Sequence, residues 1–156
     1  MPVAKLFVAK RNKSLHSTNI GLLIVLCIIA SFFSECKKYP DGPDFSFRSK
    51  SSRISATWYI DVYLVNGTDQ TTAYTNIVGG LYMLTIQKTG SYQVDGNLPD
   101  EGACQFGDKH KNFYMQSSLS GLTTEYSILR LEYKSMWLKH IKSNGDVEEF
   151  HYKAYR

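Results

Sequence analysis

The stretch 135-SMWLKHIKSNGDVEEFHYKAY-155 decides the fold. Two alternating segments, Ser135 to Ile141 and Val147 to Tyr155, flank the pair Asn144-Gly145. Side chains that change sides at every residue belong to a strand. Asn-Gly between two such segments marks a hairpin, because both residues tolerate the positive φ of a tight turn. With Asn144-Gly145 counted as a two-residue loop, Ser143 opposes Asp146 and His140 opposes Glu149, with His151 on the same face. Trp137, Ile141, Phe150 and Tyr152 then share the opposite, apolar face, so the histidine face is expected to be the solvated one.

The same period runs through the chain before this hairpin. Trp58, Ile60, Val62 and Leu64 alternate with Tyr59, Asp61, Tyr63 and Val65, and Asn66-Gly67 ends the run. Leu81 to Gln87, with Tyr82, Leu84 and Ile86 on one face, turns at Lys88-Thr89-Gly90 and returns from Ser91 to Val94. Gly102 to Phe106 and Asn112 to Gln116 are shorter segments, and Tyr126 to Tyr133 is a strong one. Asp95 to Glu101 and Ser117 to Thr124 read as loops. No segment has helical periodicity, and Thr68 to Val78 holds at most a turn or short helix. Short strands at near-regular spacing, joined to their sequence neighbours by glycine-bearing turns, predict an all-β fold: a single small antiparallel up-and-down β-barrel.

Ahead of the barrel the composition changes. The first thirteen residues carry Lys5, Lys10, Arg11 and Lys13 and no acid, and Ile20 to Phe33 is almost continuously apolar. Fourteen helical residues span about 21 Å, short of a ~30 Å hydrocarbon core, which favours a signal-peptide core over a permanent span. An uncleaved N-terminal anchor is the alternative. The full chain has a net charge of +4, but from Cys36 onward 14 Lys and Arg meet 13 Asp and Glu. Basicity therefore belongs mostly to the leader, and nucleic-acid binding is not expected. Of three cysteines, Cys27 lies in the apolar run, leaving Cys36 and Cys104 and no disulfide framework.

Phe33-Ser34-Glu35-Cys36, at the end of the apolar run and before Lys37-Lys38-Tyr39-Pro40-Asp41-Gly42-Pro43, resembles a bacterial lipobox. Glu35 stands where that class has a small residue. The resemblance implies diacylglycerol on the Cys36 thiol, an acyl anchor in the membrane, and an exported protein of the cell envelope, most naturally an outer-membrane lipoprotein. The organisation expected is a signal peptide over 1–35, a flexible tether over 36–52 and the barrel over 53–156. The alternative reading of Cys36 is an ordinary linker cysteine after a general signal peptide.

A second resemblance is carried by the domain itself. Thr57-Trp58-Tyr59-Ile60 with Asn66-Gly67-Thr68-Asp69 is similar to the opening strand of small bacterial lipocalin-like lipoproteins. Leu84-Thr85-Ile86 with Thr89-Gly90-Ser91-Tyr92 resembles their second element, and Tyr126 to Leu131 with Met136-Trp137-Leu138 resembles their paired late strands. Those proteins often place a tryptophan two residues after a middle-strand glycine, where this chain has Gly102 and then Cys104. The resemblance implies a calycin-type barrel and leaves the ligand open.

All 11 tyrosines follow Cys36. Inward tyrosines fill a small barrel, or they line a pocket that is apolar with polar tips and suits a small amphipathic ligand. On the second reading Trp58, Tyr82, Tyr92, Phe106, Trp137 and Tyr152 are the candidate ligand-binding residues. His140, Glu149 and His151 form the one weak candidate for a metal or acid–base set, against which stands their expected solvation. Cys104 reads as core filler rather than a nucleophile. No phosphate loop, zinc-finger spacing or nucleophile elbow is present, so neither a cofactor nor an enzyme is expected. The expectation is a lipid-anchored, non-enzymatic binding module for a small amphipathic or hydrophobic ligand. The alternative is a structural or protein-interaction component of an envelope assembly.

Overall fold

A computed structural model describes residues 39–40, 47–80 and 82–155, all within the compact unit 37–156. The leader, Cys36 and most of the segment read as a tether lie outside the described residues.

The strands are β1 (Thr57–Val65), the two-residue β2 (Thr68–Asp69), β3 (Met83–Ile86), β4 (Ser91–Asp95) and β5 (Asp100–Phe106), then β6 (Asn112–Ser117), β7 (Thr123–Leu131), β8 (Ser135–Ile141) and β9 (Val147–Ala154). From β3 onward each strand pairs antiparallel with the next, and β1 pairs with β3 on one side and β9 on the other. β2 folds back on the last two residues of β1. The result is a closed eight-stranded up-and-down barrel, the architecture that the period-two pattern predicts. Closure leaves no long unpaired edge.

The barrel has a plugged base and a mouth. At the base, helix α1 (Lys50–Ile54) is started by Ser49, whose hydroxyl accepts from the Ser52 N–H at 3.2 Å. Arg53 Nη1 donates to the Leu131 carbonyl at 2.7 Å, and Trp58 Nε1–H donates to the Ile54 carbonyl at 2.8 Å. Trp58 and Leu131 are both 0 % exposed, and Tyr39 joins the same core at 2 %. The stretch expected to be a solvated tether thus enters the fold at Tyr39 and again from Lys50. A five-residue helix carries no period to read; the Arg53 bond to Leu131 and the Trp58 bond to Ile54 hold it to the barrel.

At the mouth, helix α2 (Thr71–Val78) comes directly after β2. The Asp69 carboxylate accepts from the backbone N–H and hydroxyl of Thr71 at 2.8 and 2.6 Å, which lowers its pKa. The Thr71 hydroxyl in turn accepts from Tyr63 N–H at 2.9 Å, tying the helix start to β1. Gly79, at φ 86°, ends the helix in the left-handed conformation that favours glycine. Asn97 N–H donates to the Val78 carbonyl at 3.0 Å, so the helix end rests on the β4–β5 loop.

Three local events move side chains away from a simple alternation. The β1–β9 register shifts between Ile60 and Val62, and the β7–β8 register shifts between Ile128 and Arg130. Each bulge adds a residue and reverses the facing of the residues beyond it. Trp58 and Ile60 point inward, but past the first bulge it is Tyr63 that is buried, not Val62 and Leu64. Likewise the next inward residue after Ile128 is Leu131.

The third event is the last hairpin. Lys142 N–H donates to the Asp146 carbonyl and Gly145 N–H to the Lys142 carbonyl, both at 2.9 Å, with Gly145 at φ 89°. The loop therefore has three residues, Ser143-Asn144-Gly145, and closes as a turn plus a glycine bulge. His140 opposes Glu148 rather than Glu149, and Trp137 opposes His151. A one-residue slip turns a strand over. Met136, Leu138 and His140 share the inner face with Glu148, Phe150 and Tyr152. Trp137 and Ile141, expected inside, are outside.

Candidate functional site

The inner wall changes character from base to mouth. Its lower half is packed by Trp58, Leu84, Ile86, Phe113, Leu131 and Met136. Its upper half is aromatic and polar. Tyr74 of α2 lies against Tyr63 (ring centroids 4.4 Å apart), Tyr82 (6.0 Å) and Phe150 (6.0 Å). Phe150 lies 6.0 Å from Tyr126, and Tyr126 lies 5.6 Å from the His140 ring. The hydroxyls of Tyr152, Tyr82 and Tyr74 influence one another's ionisation, with Tyr82 in the middle.

Two carboxylates enter this aromatic wall. Glu148 is 7 % exposed; it accepts from the Tyr63 hydroxyl and pairs with Lys142 Nζ at 2.7 Å. Asp100, at the start of β5, accepts from the Tyr92 hydroxyl and the Ser117 hydroxyl at 2.7 Å each, and from Glu101 N–H at 2.9 Å. Tyr92 reaches it because Gly102 stands beside it on β5. A Cβ at Gly102 would lie 1.9 Å from the Gln116 carbonyl oxygen and 3.1 Å from the Tyr92 ring. Among the described residues Glu148 has a cationic partner and Asp100 has none.

Burial pushes the phenols of Tyr63, Tyr82, Tyr92, Tyr126 and Tyr152 far up, and that of Tyr74 up to about 12. For Tyr126 the charges of Glu148 and Asp100 add to the effect, after burial and the neighbouring Tyr74. Yet Tyr74, Tyr82 and Tyr126 are only half-buried by surface area. A ring that is both strongly desolvated and still accessible lies in a concave surface, with protein around it and open space in front. The upper barrel is therefore a recess, whereas the centre of the base is filled. A separate cleft of about 200 Å³ opens beside the base, between α1, the β3–β4 turn and the end of β5, and Ile54, Cys104 and Phe106 line it.

The sequence-predicted residues divide between these regions. Tyr82 lines the recess, and Tyr92 and Tyr152 are buried in the wall behind it, each 4 % exposed. Trp58 wedges the base, and Phe106 packs there beside Phe113, with ring centroids 5.6 Å apart. Trp137 is on the outer wall, stacked on His151 at 4.2 Å and 9°, with the Arg130 guanidinium 4.9 Å above its ring. The set His140, Glu149 and His151 is split across the wall. His140 faces inward and bonds through Nδ1 to the Glu125 carbonyl at 2.9 Å, while His151 and Glu149 meet outside at 3.4 Å. No cluster of three metal-ligating side chains occurs among the described residues. Cys104 is a buried free thiol, raised to about 11 by burial, the reverse of activation.

Sequence reasoning misses Tyr63, Tyr74, Glu148 and Asp100 as site residues. Tyr63 and Glu148 lie beyond a bulge and a three-residue turn, each of which shifts the phase of the count. Tyr74 is on a short helix. Asp100 reads as part of a loop; its signal is the pairing of Tyr92 with Gly102, a ring facing a missing side chain.

Charge also separates by end. Asp69, Asp95, Asp100, Glu101, Asp146 and Glu148 gather at the mouth, with Lys142 as the cation among them. Arg48, Lys50, Arg53, Lys88, Lys111 and Lys134 gather at the base, against Asp108 and Glu132. No protein-family model matches this chain, and no curated protein matches it.

Proposed function

We propose that this chain is a lipid-anchored, exported binding module of lipocalin-like kind, holding a small amphipathic ligand in the open half of its barrel. One observation carries the reading: Tyr74, Tyr82 and Tyr126 are desolvated yet accessible, the condition of rings that line a recess. Rings with hydroxyl tips offer apolar contact and hydrogen bonds together, which suits such a ligand. We read the role as binding: phenols held so far above neutrality stay protonated and offer hydrogen-bond donors to a ligand. Native mass spectrometry of the protein purified from its host tests this. A bound small molecule released by denaturation is expected; a bare chain that also takes up no amphiphilic probe sinks the reading.

Anchoring rests on Cys36 and the leader, and puts the protein in the bacterial cell envelope, at the outer membrane. A clickable fatty acid should label the wild type and spare Cys36→Ala; equal labelling of both removes the anchor. A second reading, a protein-interaction component of an envelope assembly, is favoured by the exposed aliphatic residues Ile77, Leu98, Leu119, Leu122 and Ile141 around the mouth. The same mass measurement separates the two, since a co-purifying polypeptide in place of a small molecule supports the second.

A further inference from the structure

We propose that the recess selects amphiphiles with a positively charged head, an ammonium or guanidinium, held by Asp100 and the ring of Tyr126 while the apolar part lies on Leu98, Leu119 and Leu122. The inference rests on the binding reading above and names its ligand class.

The argument begins with what Asp100 lacks. Its two oxygens accept three hydrogen bonds, from Tyr92, Ser117 and Glu101, all neutral donors. Hydrogen bonds orient a carboxylate without cancelling its charge. Glu148 differs, since the Lys142 ammonium sits 2.7 Å from it. Lys142 demonstrates on this molecule that an ammonium fits a carboxylate at the mouth, and among the described residues the inward-facing Asp100 has no such cation beside it. The field of Asp100 reaches both Tyr92 and Tyr126. Tyr92 is buried and serves to orient the carboxylate, so a cation placed at Asp100 gains the carboxylate and the accessible Tyr126 ring. A neutral head gains neither fully, and an anionic head is repelled.

The surroundings supply the second half of an amphiphile. Leu98 lies in the β4–β5 loop, two residues before Asp100. Leu119 and Leu122 lie in the neighbouring β6–β7 loop, which Ser118 N–H ties to the Glu101 carbonyl at 2.8 Å. These leucines are 61, 71 and 70 % exposed. Three exposed leucines in the two loops beside Asp100 match a molecule that is cationic at one end and greasy at the other. The acidic mouth adds long-range attraction of the same sign.

The test uses the intact chain in lipid nanodiscs, with empty nanodiscs as the blank. Hexyltrimethylammonium, hexyl sulfate and 1-hexanol are titrated while tyrosine fluorescence is read. Hexyltrimethylammonium should bind about 10-fold tighter than either of the others, and Asp100→Asn should remove most of that margin. If 1-hexanol or hexyl sulfate binds as well as the cation, the selectivity proposal is overturned and the binding module stands. If none of the three binds, both fall. Should Asp100→Asn fail to fold, salt decides on the wild type: affinity for the cation must fall several-fold between about 0.01 and 0.15 M salt. A salt-independent affinity overturns the proposal.

Discussion

The base and the mouth of this barrel are made from the same residue types and used in opposite ways. Both ends bring aromatic rings inward and both receive a short helix. At the base the helix inserts Ile54 and Arg53, and Trp58, Phe113 and Tyr39 pack with them into one buried cluster. At the mouth the helix contributes Tyr74 and leaves Tyr82 and Tyr126 accessible. Polar atoms divide in the same way. At the mouth the Tyr63 and Tyr92 hydroxyls reach carboxylates, while at the base Tyr39 Oη and Arg53 Nε are buried without hydrogen-bond partners among the described residues. The difference teaches that one end of the sheet is closed by its own side chains, whereas the other leaves aromatic rings accessible and reserves its hydroxyls for carboxylates.

The harshest way to break that division is at the base. Trp58→Ala removes a fully buried indole and its bond to Ile54, and should cost about 3–5 kcal/mol. Urea denaturation measures it; Tyr82→Phe, at the mouth, should cost far less. Comparable losses would mean that the two ends do not differ as described. Gly102→Ala comes next. Its methyl would meet the Gln116 carbonyl at 1.9 Å, so β5 and β6 must part, for a loss of about 1–3 kcal/mol. The same change pushes on the Tyr92 ring, so hexyltrimethylammonium affinity should fall with stability.

A gentler pair isolates the hydroxyls. Tyr63→Phe leaves the buried Glu148 without its phenol donor and should cost about 1–2 kcal/mol. Tyr39→Phe removes a buried hydroxyl that has no partner among the described residues, so it should be neutral or slightly stabilising. A reversed order in the same denaturation assay would undo the contrast in polar satisfaction.

Much of the architecture is legible in the residues alone, and the failures are local and physical. Alternation in Trp58–Val65 and in the last hairpin is enough to specify strands, sequential pairing and closure. What alternation cannot carry is phase. A bulge at Asp61 and another at Leu129 each insert a residue with no sequence mark of its own, so Val62 and Leu64 lose the inner face to Tyr63 and Val65. Asn144-Gly145 is compatible with two loop lengths, and the backbone chooses the longer one, with Ser143 included. Part of the candidate site is readable in the same way, in Tyr82, Tyr92 and Tyr152. The carboxylates that give it character are not, because an acid beside a turn reads as solvated until its hydrogen-bond donors are seen.

The raised phenols give the comparison a pH signature. Tyr74 ionises near 10 when unfolded and at about 12 in the fold, so between these values the folded chain keeps a proton that the unfolded chain has lost. Its contribution to stability is complete below pH 10, declines as pH rises and is gone above about 12. Tyr82, Tyr126 and Tyr152 act in the same direction and further up. Thermal melts across this range should fall with pH, and Tyr74→Phe should flatten the first part of the decline. An unchanged slope in that variant would place Tyr74 outside the desolvated recess.

The smallest expected effect tests the facing of the wall itself. Trp137 lies outside, between His151 and Arg130, although its size and its alternating neighbours suggest the interior. Trp137→Ala removes a surface stack and one cation–π contact, a loss of no more than about 1 kcal/mol. Affinity for hexyltrimethylammonium should not change, because the strand separates this ring from the recess. Leu138→Ala, the adjacent inward residue at 1 % exposure, should instead cost about 2–5 kcal/mol. If the tryptophan proves the costlier of the two, β8 presents its other face, the three-residue loop is wrong, and Glu148 leaves the mouth together with His140.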